Sequence, residues 1–170
     1  MSTIVEGWTG RFLEDFRVGD VYRCRFGRTV TETDNIHFTL LTCNTNQIHF
    51  NRDYGEKAEM GGCLVNSLLT MAIVTGMSVP DLSENGFALG FDDVKLPRSV
   101  YAGDTLYSES EVVDVRESRS RPTQGIVRVR TRGYNQRGEV VIEFQRSVMV
   151  WKRAHAPATD IFPVPPPVAS

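Results

Sequence analysis

The sequence is poor in the residues that build disulfide or metal-held frameworks. Its 170 residues include only three cysteines, Cys24, Cys43 and Cys63, at wide spacing. An odd count with no CxxC pair makes neither a disulfide framework nor a thiolate metal site, and it points to a reducing compartment, the cytoplasm. Histidine is as scarce: His37, His49 and His155. No second His or Cys stands at ligand spacing, so no metal is implied. An excess of charge is missing too. Nineteen basic against 21 acidic residues leave a formal net of -2, which gives no general reason to expect nucleic acid or an acidic membrane surface as partner. The most apolar stretch, Leu64 to Val79, is interrupted by Asn66, Ser67, Thr70 and Thr75, and is too short and polar to span a bilayer. The opening residues, MSTIVEGWTGRFLEDF, lack the basic and apolar regions of a signal peptide. Proline is nearly absent from the body but crowds the end, at Pro157, Pro163, Pro165, Pro166 and Pro167. Residues 155–170 are therefore expected to form an extended tail behind a single domain over 1–154. A chain of this size with 41% hydrophobic residues buries one sizeable core and is too short for two.

Within that domain, residues 20–29 alternate as a first strand. T-E-T-D at 31–34 resembles a capping box, and Ile36, Leu40 and the His37/Leu41 pair continue a helix to about Thr42. Residues 43–62 are polar and rich in Asn and Gly; they read as loop with a short helix over 52–57. Residues 64–77 are apolar nearly all round, as in a helix buried on most sides. Strands are expected at 87–96, 105–115, 126–134 and 140–151, with Asn135-Gln136-Arg137-Gly138 as a hairpin turn. In the last of them Val140, Ile142, Phe144, Val148 and Val150 share a face broken only by Arg146. The order predicts an α+β fold, a curved antiparallel sheet wrapped around one long buried helix. This layout resembles the hot-dog fold, whose sheet edges and half-covered helices commonly dimerise. At least a homodimer is expected.

Arginine dominates the basic residues, all but Lys57, Lys95 and Lys152. Arg128, Arg130 and Arg132 alternate with Val127, Val129 and Thr131 and read as the solvated face of a strand. Arg116, Arg119 and Arg121 admit that reading and a second, recognition of carboxylate or phosphate oxygens by guanidinium forks. Among the histidines, His155 lies at the tail and His37 reads as a structural residue of the first helix. His49 sits in a polar loop between Ile48 and Phe50, which would dock on an apolar wall and leave the imidazole beside a pocket. Imidazole is the side chain whose ordinary pKa, about 6.5, suits proton transfer near neutral pH.

The stretch R-T-V-T-E-T-D-N-I-H-F-T-L-L-T-C-N-T-N-Q-I-H-F-N (28–51) resembles the hydratase signature of MaoC-like dehydratases, the (R)-specific enoyl-CoA hydratases of the hot-dog superfamily. F-R-V-G-D at 16–20, P-R-S-V-Y-A-G-D-T-L at 97–106 and G-Y-N-Q-R-G-E-V-V at 133–141 extend the likeness over nearly the whole domain. The resemblance implies a hydro-lyase that adds water to an α,β-unsaturated acyl-CoA, with CoA part of the substrate and no cofactor turned over. Carried over by position, the catalytic histidine is His49, Asn44 takes the place of the family's aspartate, and Asn46 matches the family's asparagine. Asn66 and Ser67, at the start of the buried helix, fall where the family's backbone N–H faces the thioester oxygen. Asn44 is a departure, because a carboxamide is no useful base at neutral pH. Asn44, V-N-S at 65–67 and V-R-E-S-R-S-R-P-T-Q-G-I-V at 115–127 resemble the branch that hydrates mesaconyl-, itaconyl- or 3-methylmalyl-CoA. Such a substrate carries its own carboxylate, for which Arg119 or Arg121 is the expected partner, or else for a CoA phosphate. The alternatives are a dehydratase for plain acyl chains, a hot-dog thioesterase and a non-catalytic acyl-CoA-binding subunit.

Overall fold

A computed structural model describes residues 3, 5, 7–158 and 163. Four long strands and two short ones make one antiparallel sheet. The elements are β1 (Val21–Arg23), β2 (Arg28–Thr29), α1 (Glu32–Leu41), α2 (Arg52–Lys57), α3 (Ser67–Leu82), β3 (Gly86–Lys95), β4 (Thr105–Glu117), β5 (Gln124–Tyr134) and β6 (Val140–Trp151). The strand order is β1-β4-β5-β6-β3, and β2 also pairs with β4. The α+β fold with a helix packed against a hot-dog sheet is as expected.

Helix α3 lies on the sheet because β5 carries Gly133 beneath it. A Cβ there would stand 2.6 Å from a methyl of Val74 and 2.7 Å from one of Ile142. The inward side chains form two apolar clusters with a polar belt between them. Towards the start of α3, Leu69 and Val74 pack with Leu106, Ile142 and Phe144; towards its end, Leu82 packs with Val112, Val127, Val129, Val148 and Val150. Between these layers the same strands turn in Ser108, Ser110, Thr131 and Arg146, all buried, and the helix meets them with Ser78. Hydroxyls link the belt: Ser110 and Thr131 stand 2.8 Å apart, and Ser108 Oγ donates to Val74 O at 3.1 Å.

Several expectations change. The strand foreseen over 20–29 splits into β1 and β2, since Gly27 passes so close to Tyr107 that a Cβ would lie 2.7 Å from its ring. Helix α3 begins three residues later than expected and runs through Pro80 to Leu82. Proline in a last turn forfeits only the bond to the carbonyl four residues back, that of the solvent-exposed Gly76. Nor is α3 buried on most sides: Leu68, Ala72, Gly76 and Pro80 form an exposed row. Arg146 does not break the inner face of β6 but joins it, with 2% of its surface exposed. Arg128, Arg130 and Arg132 do form an outer face, paired across strands with Asp92, Glu111 and Glu143. His37 is exposed on α1 rather than structural. Of the tail, residues 155–158 and 163 are described; the rest lies outside the described residues.

Candidate active site

The loop bearing His49 is built by asparagines. Helix α1 ends as Cys43 enters the left-handed region at φ 55°. That turns the chain back so that Asn44 N–H donates to Thr39 O at 3.0 Å. Asn44 Oδ1 accepts from Asn46 N–H at 2.9 Å, and Asn46 Oδ1 accepts from Ile48 N–H at 3.2 Å, capping the single 3-10 turn Gln47–His49. His49 Nδ1 then lies 2.9 Å from Leu64 O. A carbonyl only accepts, so Nδ1 carries a proton, and in the neutral imidazole it is Nε2 that holds the lone pair.

Asn35, on α1 and 1% exposed, fixes this arrangement. Its amide donates to His49 O at 2.7 Å and to Leu64 O at 2.8 Å, while its Oδ1 accepts from Asn66 N–H at 2.8 Å. One side chain thus ties the histidine loop to the start of α3. Asn66 is the N-cap of that helix: its side-chain oxygen accepts from Leu68 N–H at 3.0 Å and its carbonyl from Thr70 N–H at 3.1 Å. Among the described residues nothing accepts from Ser67 N–H. A free N–H at the positive end of a 16-residue helix suits a developing oxyanion.

His49 and Ser67 line one cavity of about 180 Å³, together with Thr70, Leu96, Arg98 and Val100. Strand β3 leads into Leu96–Val100, and Val100 O accepts from Val65 N–H at 2.8 Å, which seats that segment against the approach to α3. The structure thus brings His49 and Ser67 together, with Asn66 holding the helix end behind them. It does not bring the other expected residues into the cavity. Asn44 and Asn46 have their oxygens turned onto backbone N–H groups and do not line it. Arg119 and Arg121 lie in the β4–β5 turn, where Arg121 reaches Gln124 Oε1 and stacks over Phe87. The cavity adjoins the start of β4, and a 13-residue strand at about 3.3 Å per residue places its far end roughly 40 Å away. Within one chain neither arginine reaches His49.

Cys63, beside Leu64, offers no nucleophile. Burial, reinforced by the charge of Glu32, pushes its thiol pKa up, so it stays protonated at neutral pH. A larger cavity of about 370 Å³ lies between β1 and the second half of α3, lined by Trp8, Arg23, Phe26 and Met77 among others; it contains none of the expected site residues. Sequence reading missed Asn35 and Arg98. Asn35 had a signal, an asparagine inside an apolar helical pattern, where its side chain competes with the backbone. Arg98 had none beyond its place in the P-R-S-V motif.

Comparison with known proteins places these residues in a family. The family model for mesaconyl-CoA hydratase matches residues 5–161. Mesaconyl-CoA hydratase of Cereibacter sphaeroides is 35% identical over 156 residues, covering 89% of this chain and 45% of that protein. Beta-methylmalyl-CoA dehydratase of Chloroflexus aurantiacus is 37% identical over 153 residues, with 89% and 43% covered. A crystal structure of a putative MaoC domain protein dehydratase from Chloroflexus aurantiacus superposes with a TM-score of 0.83 at 34% identity, over 96% of this chain and 47% of that one. The chain spans less than half the length of these relatives. Because the match runs through α1, the His49 loop, α3 and the whole sheet, the chain belongs to the mesaconyl-CoA hydratase family.

Proposed function

We propose that this protein is a hydro-lyase that reversibly adds water to a branched C5 dicarboxylyl-CoA of the mesaconyl type. The observation that carries the reading is the pairing, in one cavity, of a histidine whose Nδ1–H is held by the Leu64 carbonyl and the free N–H of Ser67 at a helix N-terminus. The named relatives support the choice of acyl group. Ser67 N–H receives the thioester carbonyl oxygen and draws charge from the double bond, so the β-carbon becomes electrophilic. His49 Nε2 takes a proton from water as the hydroxyl adds there, and the imidazolium returns a proton to the α-carbon. Asn44 and Asn46 act by building the loop that carries His49. Hydration leaves the overall oxidation level unchanged, so the chemistry calls for no redox cofactor, and CoA enters only as part of the substrate.

The active form is a homodimer. No described helix is long and apolar enough to cross a membrane. Cys24, Cys43 and Cys63 are all free thiols, which fits the cytoplasm.

Incubation with mesaconyl-CoA and crotonyl-CoA tests the reading. Loss of the enoyl absorbance without free thiol is the expected result; thiol release means a thioesterase, and neither means a binding module. His49→Ala is expected to cut the hydration rate by at least about 10²-fold with the circular dichroism spectrum unchanged. Activity within a few-fold of wild type would remove His49 from the mechanism.

A further inference from the structure

We infer that Arg98 is the residue that receives the free carboxylate of the substrate's acyl group, an inference that rests on the reading above. Arg98 is the one arginine or lysine in the His49–Ser67 cavity, and no Asp or Glu lines that cavity. Its position is imposed by the chain: Pro97 fixes the turn out of β3, and the Val65–Val100 hydrogen bond and the Leu64–Tyr101 bridge press residues 98–101 against the approach to α3. Among the described residues the Arg98 side chain makes no hydrogen bond. Its one charged neighbour is Glu139, whose Oε1 lies 3.7 Å from Nε, beyond hydrogen-bond reach. The other oxygen of Glu139, Oε2, accepts from Arg137 at 2.9 Å and from Asn135 at 2.8 Å, which anchors the carboxylate on the side away from Arg98. The guanidinium fork therefore has all its hydrogen bonds still to give, and its one ion-pair partner, Glu139, lies outside the lining of the cavity. With a thioester oxygen on Ser67 N–H, a short dicarboxylyl chain carries its second carboxylate only a few bonds further into the same small space. A bidentate guanidinium–carboxylate pair there selects dicarboxylyl over plain acyl esters.

Two saturated, unreactive esters separate the acyl carboxylate from the CoA they share: methylsuccinyl-CoA and butyryl-CoA, titrated calorimetrically into the intact protein. Wild type is expected to bind methylsuccinyl-CoA more tightly. Arg98→Gln is expected to weaken methylsuccinyl-CoA at least about tenfold and butyryl-CoA less than about threefold, with Arg98→Lys between. Equal weakening of both esters would assign Arg98 to a CoA phosphate or to folding, and no weakening would leave it without a ligand; either result overturns the inference. Because neither ester is turned over, a protein that shows the selective loss but hydrates nothing overturns the hydratase reading alone.

Discussion

Arg146 is buried under α3 with a single hydrogen bond from its side chain, Nη2 to Ser78 Oγ at 2.9 Å, and its Nε has no partner. Burial pushes its pKa down from the ordinary guanidinium range to about 10. A cation whose folded pKa is lowered destabilises the fold while it is charged in both states, fully below about pH 10, and the penalty fades as pH rises beyond that towards the ordinary guanidinium range. Methionine fills similar space without the charge. Arg146→Met is expected to raise the unfolding free energy in urea by about 1–3 kcal/mol, equally at neutral and mildly acidic pH. A less stable variant would mean that the guanidinium has a partner in the assembled protein. Placement was legible where a residue type is scarce, as at His49, which does stand beside a cavity, and illegible where it depends on contacts distant in sequence. Nothing in the pattern of β6 distinguishes Arg146 pointing inward from a break in a hydrophobic face. Arg119 and Arg121 looked like ligands by residue type, yet their turn closes the end of β4 away from the cavity of their own chain.

At the scale of single elements, local rules read well. The capping box expected at 31–34 forms: Thr31 N–H donates to Asp34 Oδ2 at 2.8 Å and Asp34 N–H to Thr31 Oγ1 at 3.1 Å, with Arg28 bound to both carboxylate oxygens. The Thr31 backbone bond, followed by the Thr31 side chain, holds the Asp34 carboxyl below its ordinary 3.8. A depressed carboxyl stabilises above its unfolded pKa and loses that contribution as pH falls through the folded one. Asp34→Asn is therefore expected to lower stability by about 1 kcal/mol at neutral pH, in keeping with a lost cap. The gap between variant and wild type should close below about pH 4, as thermal unfolding at several pH values would show; a gap that persists in acid would place the effect in packing. Hairpin β5–β6 and short α2 were equally legible, since turn residues and N-caps act over a few positions. The break between β1 and β2 was not, because it depends on Gly27 meeting Tyr107 across the sheet.

For the whole molecule, the unfinished feature is the β3 edge. It ends the strand order, and Phe87, Leu89, Phe91, Val94 and Leu96 along it are 40–47% exposed. Asp92, Asp93 and the register shift against β6 between Asp92 and Lys95 blunt the second half of this edge, so the apolar stretch around Phe87, Leu89 and Phe91 is the part left to pair with a second copy. Light scattering is expected to give a dimer for wild type and a monomer for Leu89→Lys, with hydration lost in step; a wild-type monomer at micromolar concentration would exclude the dimer. Sequence could not show this, because a strand buried on both faces and one waiting for a partner have the same apolar pattern. The clamp on the histidine loop has another consequence. Ile48 O accepts from Leu64 N–H at 3.0 Å, and Asn35 bridges the His49 and Leu64 carbonyls, so residues 50–63 leave and re-enter the fold at a single point. A loop closed at its base resists lengthening only logarithmically, about 0.6 kcal/mol per doubling. This excursion can therefore change in length by natural variation or by graft, at the cost of its outer contacts Arg52–Glu32 and Tyr101–Met60, while His49 and the start of α3 keep their separation.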